Sequence, residues 1–169
     1  MTIKGEKIVL MGASYVRGWN LREIAGKSVI NKGVNGDQTL DMLIRFNRDV
    51  IEEKPQAVLI WGFINDIFCS EKNDLLKILD ASRENLKKMV FISREHSVQP
   101  VLATEITICG PKGYKEAAVA FLGKFIGKKS YQDYVNKHVR NVNLWIRKYA
   151  KENRIILLDF EAVLSDKLS

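Results

Sequence analysis

Apolar residues fall into two kinds of run that alternate along the chain. Short, continuous runs occupy residues 7–11, 28–31, 57–61, 100–104 and 154–160. Their length and lack of alternation predict parallel strands covered on both faces. Between them the apolar positions take helical spacing. Residues 40–53 place Leu40, Leu43, Ile44 and Ile51 on one face, and residues 73–95 do the same with Leu75, Leu76, Leu79, Leu86, Met89 and Val90. Residues 131–153 repeat the pattern with Val135, Val139, Val142, Trp145, Ile146 and Tyr149. Helices between successive parallel strands imply right-handed crossovers. The predicted fold is α/β: a three-layer α/β/α, flavodoxin-like sandwich around a central parallel sheet of about five strands.

Residues 105–130 break this rhythm. Gly110, Pro111, Gly113, Gly123 and Gly127 flank an apolar piece, residues 117–125. A long connection after a strand reads either as an insertion or lid-like loop, or as a small extra helix on the surface. No internal repeat or linker interrupts the 169 residues, so a single domain over residues 1–169 is expected.

Composition narrows the class. With 46% hydrophobic and 28% charged residues, disorder, collagen and coiled coil are excluded. Cys69 and Cys109 match no metal-ligand spacing and read as two reduced thiols. The apolar run at residues 8–11 is too short for a signal peptide, and no stretch reaches the roughly 18 apolar residues of a membrane span. A soluble, cytoplasmic protein is expected. The net charge of +7 is spread along the chain, densest at Lys124, Lys128 and Lys129 with Lys112 and Lys115 upstream. No nucleic-acid recognition motif accompanies it, so it reads as a solvated surface and nucleic acid is not an expected partner.

In an open α/β sheet, ligands bind outside the carboxyl ends of the strands. Those ends present Ser14, the glycine turn Gly33–Gly36 with Asp37, and Asn65 with Asp66. Ser14 at a tight strand-to-helix turn has the chemistry of a nucleophile. Gly36 can bring a backbone N–H close to a developing oxyanion, and the Asn65 amide can donate to the same oxygen. Taken singly, each has a plainer reading as a helix cap or a turn residue; their joint order carries the functional one. Other motifs fail on detail. A dinucleotide fingerprint needs glycine at position 14, a hydrolase elbow needs glycine at position 16, and no phosphate-binding loop with lysine occurs.

Gly12-Ala13-Ser14, Asn31-x-Gly33-x-x-Gly36-Asp37-x-Thr39 and Trp61-Gly62-Phe63-Ile64-Asn65-Asp66-Ile67, in this order, resemble the SGNH hydrolases, or GDSL-type esterases and lipases. The last block is similar to that of a bacterial subgroup of unassigned members. The resemblance implies a serine hydrolase acting on a small ester or acylated molecule, with Ser14 as nucleophile and the Ser14, Gly36 and Asn65 donors as oxyanion hole. Asp37 and Asp66 would support those donors, and no metal or organic cofactor is implied. Three departures stand out. Ala13 replaces the usual aspartate, and Gly62 lies three residues before Asn65, one more than usual. The family's D-x-x-H block, which supplies the base, is missing: Asp166 is followed three positions on by Ser169. The chain's two histidines are His96, on the wrong edge of the expected sheet, and His138, the one with conceivable reach as base. Two expectations follow: a piece of a longer enzyme truncated at its C-terminus, or a catalytically impaired binding domain that recognises an ester or carbohydrate. The oligomeric state is left open.

Overall fold

Val9 and Met11 pack on one side of the sheet and Leu10 on the other, and all three are sealed from solvent. Burial on both faces is what a continuous apolar strand demands. In the computed structural model, which describes residues 7–71, 73–108 and 131–165, this strand is β1 (Lys7–Gly12). β3 (Lys27–Gly33) and β4 (Ala57–Trp61) flank it in parallel. β5 (Gln99–Ala103) and β6 (Ile156–Leu158) continue the parallel set outward from β4. The five parallel strands match the expected sheet.

A sixth strand, β2 (Glu23–Ile24), pairs antiparallel with β3 and gives the order β2-β3-β1-β4-β5-β6. Its two-residue turn holds Ala25 at φ 50° and Gly26 at φ 77°, the conformation that suits the twist of a hairpin. Two residues carry no periodicity, so this strand leaves no hydrophobic pattern. β3 is longer than residues 28–31 and only half-buried, because it lies next to the edge. Toward the C-terminus the run at residues 154–160 splits, with β6 ending at Leu158 and a helix beginning at Phe160.

Residues 40–53 form α2 (Thr39–Phe46), extended by a π-helical turn over Asn47–Ile51. Gln38 and Asp41 close a reciprocal capping box at its start, with the Gln38 N–H donating to Asp41 Oδ2 at 3.0 Å. The two long helices are α4 (Leu75–Glu95) and α5 (Tyr131–Glu152). Three short ones complete the set among the described residues: α1 (Ser14–Gly18), α3 (Ile64–Phe68) and α6 (Phe160–Ser165). None of the three is long enough to display an apolar stripe.

The helices form two unequal layers. α2, α3, α4 and α5 cover one face, where Met42, Phe46, Ile64, Leu86, Met89, Val139 and Ile146 meet Val9, Met11, Val58, Ile60 and Leu102. α1 and α6 cover the other, where Val16 and Phe160 meet Leu10, Leu59, Trp61 and Ala103. This thinner layer is aromatic: Trp61 lies 5.3 Å from the stacked Tyr15 ring, 5.1 Å from Trp19 and 4.5 Å from Phe160. Cys69 is an exposed free thiol. Cys109, most of the 105–130 connection and the Asp166–Ser169 pair lie outside the described residues.

Gly12 is where β1, β4 and α1 converge. A Cβ there would overlap the Trp61 carbonyl oxygen and the Val16 side chain, and one on Gly33 would overlap the Arg17 backbone. Gly12→Ala is therefore expected to cost about 2 kcal/mol or more through overpacking. Urea unfolding against wild type checks this, and an unchanged midpoint would contradict it.

Candidate active site

Ser14 is exposed at the first position of α1, directly beyond the end of β1. Two strands hold the turn that presents it. The Val34 N–H donates to the Gly12 carbonyl at 3.0 Å, and Arg17 N–H to the Ala13 carbonyl at 2.9 Å. From β3, Asn31 Nδ2 donates to the Val16 and Trp19 carbonyls at 2.6 and 2.8 Å, while its Oδ1 accepts from the Gly33 N–H at 2.8 Å. Carbonyls at a helix end have no partner within the helix; here a side chain of the neighbouring strand supplies one.

The glycine turn follows β3. Gly36 sits at φ 83°, with open space where a Cβ would be, so backbone conformation rather than crowding selects glycine. Asn65, in the first turn of α3, donates from Nδ2 to the Asp37 carbonyl at 2.9 Å. One of its two amide hydrogens is thus engaged by the turn and the other is free of that bond. The structure therefore brings Ser14, Gly36 and Asn65 to the adjoining ends of β1, β3 and β4, with Asn65 in direct contact with the glycine turn.

Charged side chains lock these pieces from beneath. Arg45 on α2 donates from Nε to Asp37 Oδ2 and from Nη1 to Asp49 Oδ2, both at 2.7 Å, and from Nη2 to the Gly12 carbonyl at 3.1 Å. One guanidinium thus ties the glycine turn to the strand that carries the serine. Arg48 joins on Asp49, and the two arginines hold that carboxyl down at about 2 against the cost of burial. Asp66 is buried and accepts from the Thr39 N–H and hydroxyl at 3.0 and 2.7 Å and from the Ser82 hydroxyl at 2.7 Å. Burial raises its pKa, and those donors oppose the rise.

The pattern of the GDSL-like lipase/acylhydrolase family matches residues 12–168. The chain belongs to that family. An uncharacterized lipoprotein, YqeF, of Bacillus subtilis (strain 168) is 29% identical over 125 residues, which cover 64% of this chain and 51% of YqeF. The chain thus spans about half the length of that curated relative. Among solved structures, a GDSL-like lipase from Bacteroides thetaiotaomicron aligns with a TM-score of 0.66 at 19% identity, over 91% of this chain and 68% of that one. A catalytic mutant of an acetylxylan esterase from Geobacillus stearothermophilus aligns with a TM-score of 0.61 at 22% identity, over 97% and 80%. At these identities the likeness is one of fold.

The histidines of this GDSL-like chain stand apart from its serine. His96 follows the end of α4, on the side where β5 begins, with Nδ1 2.9 Å from the Ile92 carbonyl. His138 lies on α5, in the layer opposite α1, in a groove with Leu76, Leu79, Lys137, Arg140, Asn141 and Leu144. Its ring meets Tyr134 edge-on at 4.7 Å, and burial, with the Lys137 charge, lowers its pKa. Neither is brought to Ser14. Among the described residues, no cluster of His, Cys, Asp and Glu is placed to hold a metal ion.

Three residues near the site escape sequence reasoning: Asn31, Arg45 and Glu105. Asn31 lies inside a recognised block and Glu105 at the carboxyl end of the fourth predicted strand, both without an assigned role, whereas Arg45 looks locally like an ordinary charged position. Glu105 follows β5 and is 1% exposed. Its Oε1 accepts from the Phe63 N–H at 3.0 Å, while Oε2 and the Trp61 Nε1 are buried without a hydrogen bond. Burial pushes this carboxyl up to about 7, with the Phe63 and Ile64 N–H groups and the nearby indole opposing.

Two outcomes are expected. Because the folded-state pKa of Glu105 is raised, its contribution to stability is complete below the ordinary carboxylate range and is lost as pH rises toward about 7. Relative to Glu105→Gln, wild type should lose about 3 kcal/mol across that window, as seen by urea unfolding at successive pH values; parallel pH profiles would contradict it. Arg45→Met strands the Asp37 carboxylate, and takes one of two arginines from Asp49 and one of two donors from the Gly12 carbonyl; it should destabilise by about 3 kcal/mol at neutral pH. Calorimetric melting checks the second.

Proposed function

We propose that this GDSL-family chain is a serine hydrolase that cleaves small ester, acyl or acetyl groups through a Ser14 acyl-enzyme. The observation that carries the reading is the exposed Ser14 at a rim shared with the Gly36 turn and the Asn65 amide. Ser14 Oγ attacks the carbonyl carbon while its proton passes to a base. The Ser14 and Gly36 N–H groups and the Asn65 amide hydrogen left free by Asp37 receive the oxyanion. Collapse expels the alcohol and leaves the acyl group on Oγ, and water then repeats the sequence to release the acid. Asp37 and Asp66 act here only by holding the loops: Asp37 through Arg45, Asp66 through Thr39. Neither His96 nor His138 is brought to Ser14, so neither is assigned as that base. The Geobacillus acetylxylan esterase of similar fold, whose catalytic mutants replace a serine or a histidine by alanine, supports the acetyl-ester class.

A second reading has one specific observation in its favour: both histidines of the chain lie away from Ser14. It treats the domain as a non-catalytic binder of an ester or carbohydrate at the same rim. A fluorophosphonate probe separates the two, used on the protein expressed from its full reading frame. Hydrolysis predicts labelling that Ser14→Ala abolishes, and a loss of about 100- to 1,000-fold in kcat for Asn65→Ala. Absence of Ser14-dependent labelling favours the binder.

A further inference from the structure

We propose that Glu105 is a positioning residue for Asn65, the side chain that anchors the start of α3 and so aims the amide at the oxyanion. The proposal rests on the reading of Asn65 as an oxyanion donor and assigns a role to a residue outside the three recognised blocks. Glu105 is itself held from behind. Asn143, fully buried on α5, accepts from the Glu105 N–H at 2.9 Å and donates to its carbonyl at 2.8 Å. A side-chain amide that pairs with both backbone groups fixes where the next side chain starts.

From that fixed point the carboxyl reaches across to the end of β4. Phe63, at φ −159° and ψ −4°, precedes α3, and no cap of α3's own satisfies the first N–H groups of the helix. Glu105 Oε1 accepts the Phe63 N–H at 3.0 Å, and the Ile64 N–H also bears on the carboxyl. It therefore performs the service of an N-cap from 42 positions away in sequence. The next residue along is Asn65, whose amide ends on the Asp37 carbonyl. Polar contacts thus link α5 to Glu105, Glu105 to the start of α3, and Asn65 in the first turn of that helix to the glycine turn. Burying a carboxyl with Oε2 unpartnered is costly, and an apolar residue would fill the same space without that cost. What an apolar residue lacks is the acceptor for Phe63.

The test compares variants that keep or lose the acceptor, using p-nitrophenyl acetate and the full-length protein. Glu105→Met, which preserves volume without an acceptor, is expected to lower kcat by about tenfold or more with KM within about twofold. Glu105→Gln, which retains the oxygen, should stay within about threefold of wild type. In the Asn65→Ala background, Glu105→Met should add less than about twofold, since both changes act through one group. Wild-type kcat in Glu105→Met, or a full multiplicative loss in the double variant, overturns the proposal. If Glu105→Met does not fold, Glu105→Asp, which withdraws the carboxyl by one methylene, replaces it. Amide hydrogen exchange gives a readout that needs no turnover: the Phe63 N–H and the Asn65 side-chain amide should exchange faster in Glu105→Met and at the wild-type rate in Glu105→Gln. Unchanged exchange in Glu105→Met also overturns it. If wild type and Ser14→Ala hydrolyse the ester equally, the hydrolase reading fails by itself, and the exchange data still decide the role of Glu105.

Discussion

Everything at the rim depends on one crowded passage, where the backbone at the end of β1 slides between the Trp61 carbonyl and the Val16 side chain. Gly12 leaves no room there for a side chain. Because β1 approaches β4 so closely, α1 can turn back over the sheet within two residues and set Ser14 outside it. The same approach lets the Gly12 carbonyl accept both the Val34 N–H and the Arg45 guanidinium. A side chain at Gly12 would push α1, and Ser14 with it, away from β4.

Beneath the rim the fold uses long-range polar contacts rather than apolar packing to fix orientation. Hydrophobic contact is non-directional and sets distance between layers, whereas hydrogen bonds set angle. Arg45 and Asp66 each bridge two segments that carry site residues, and Glu105 ties one of them, the start of α3, to the end of β5. At the far strand ends, Arg147 pairs with Asp159 and Glu161, while Asp159 also accepts from the Thr104 hydroxyl. These links join β5, β6, α5 and α6 into one rigid corner. The burial of charge at such places weighs against stability, and its return is a fixed geometry.

Much of this was legible in the sequence, and what was not shares a physical cause. β1, β4 and β5 announce themselves because both faces are buried, and α4 and α5 because a long helix repeats its apolar stripe. The β2 hairpin, α1 and α3 are too short to have a period. Ser14, Gly36 and Asn65 could be nominated because a residue type at a strand end has a meaning of its own. Asn31, Arg45 and Glu105 each have a partner 15 to 42 positions away, the Val16 carbonyl, the Gly12 carbonyl and the Phe63 N–H, and no local pattern encodes such a partner. The same holds for His138: the sequence already sets His96 on the wrong edge, whereas only the layering of α5 shows that His138 faces elsewhere.

The aromatic packing under α1 has an optical consequence. Two of the chain's three tryptophans, Trp19 and Trp61, share one cluster with Tyr15, the residue next to Ser14. The third, Trp145, stacks on Tyr149 in the opposite layer, 5.9 Å from the Lys87 ammonium. Coupled rings in a fixed asymmetric arrangement dominate near-ultraviolet circular dichroism, and a solvated outer ring responds to whatever settles against it. The fold therefore carries its own chromophore beside the serine, with a second, separate aromatic pair on the far layer as an internal reference.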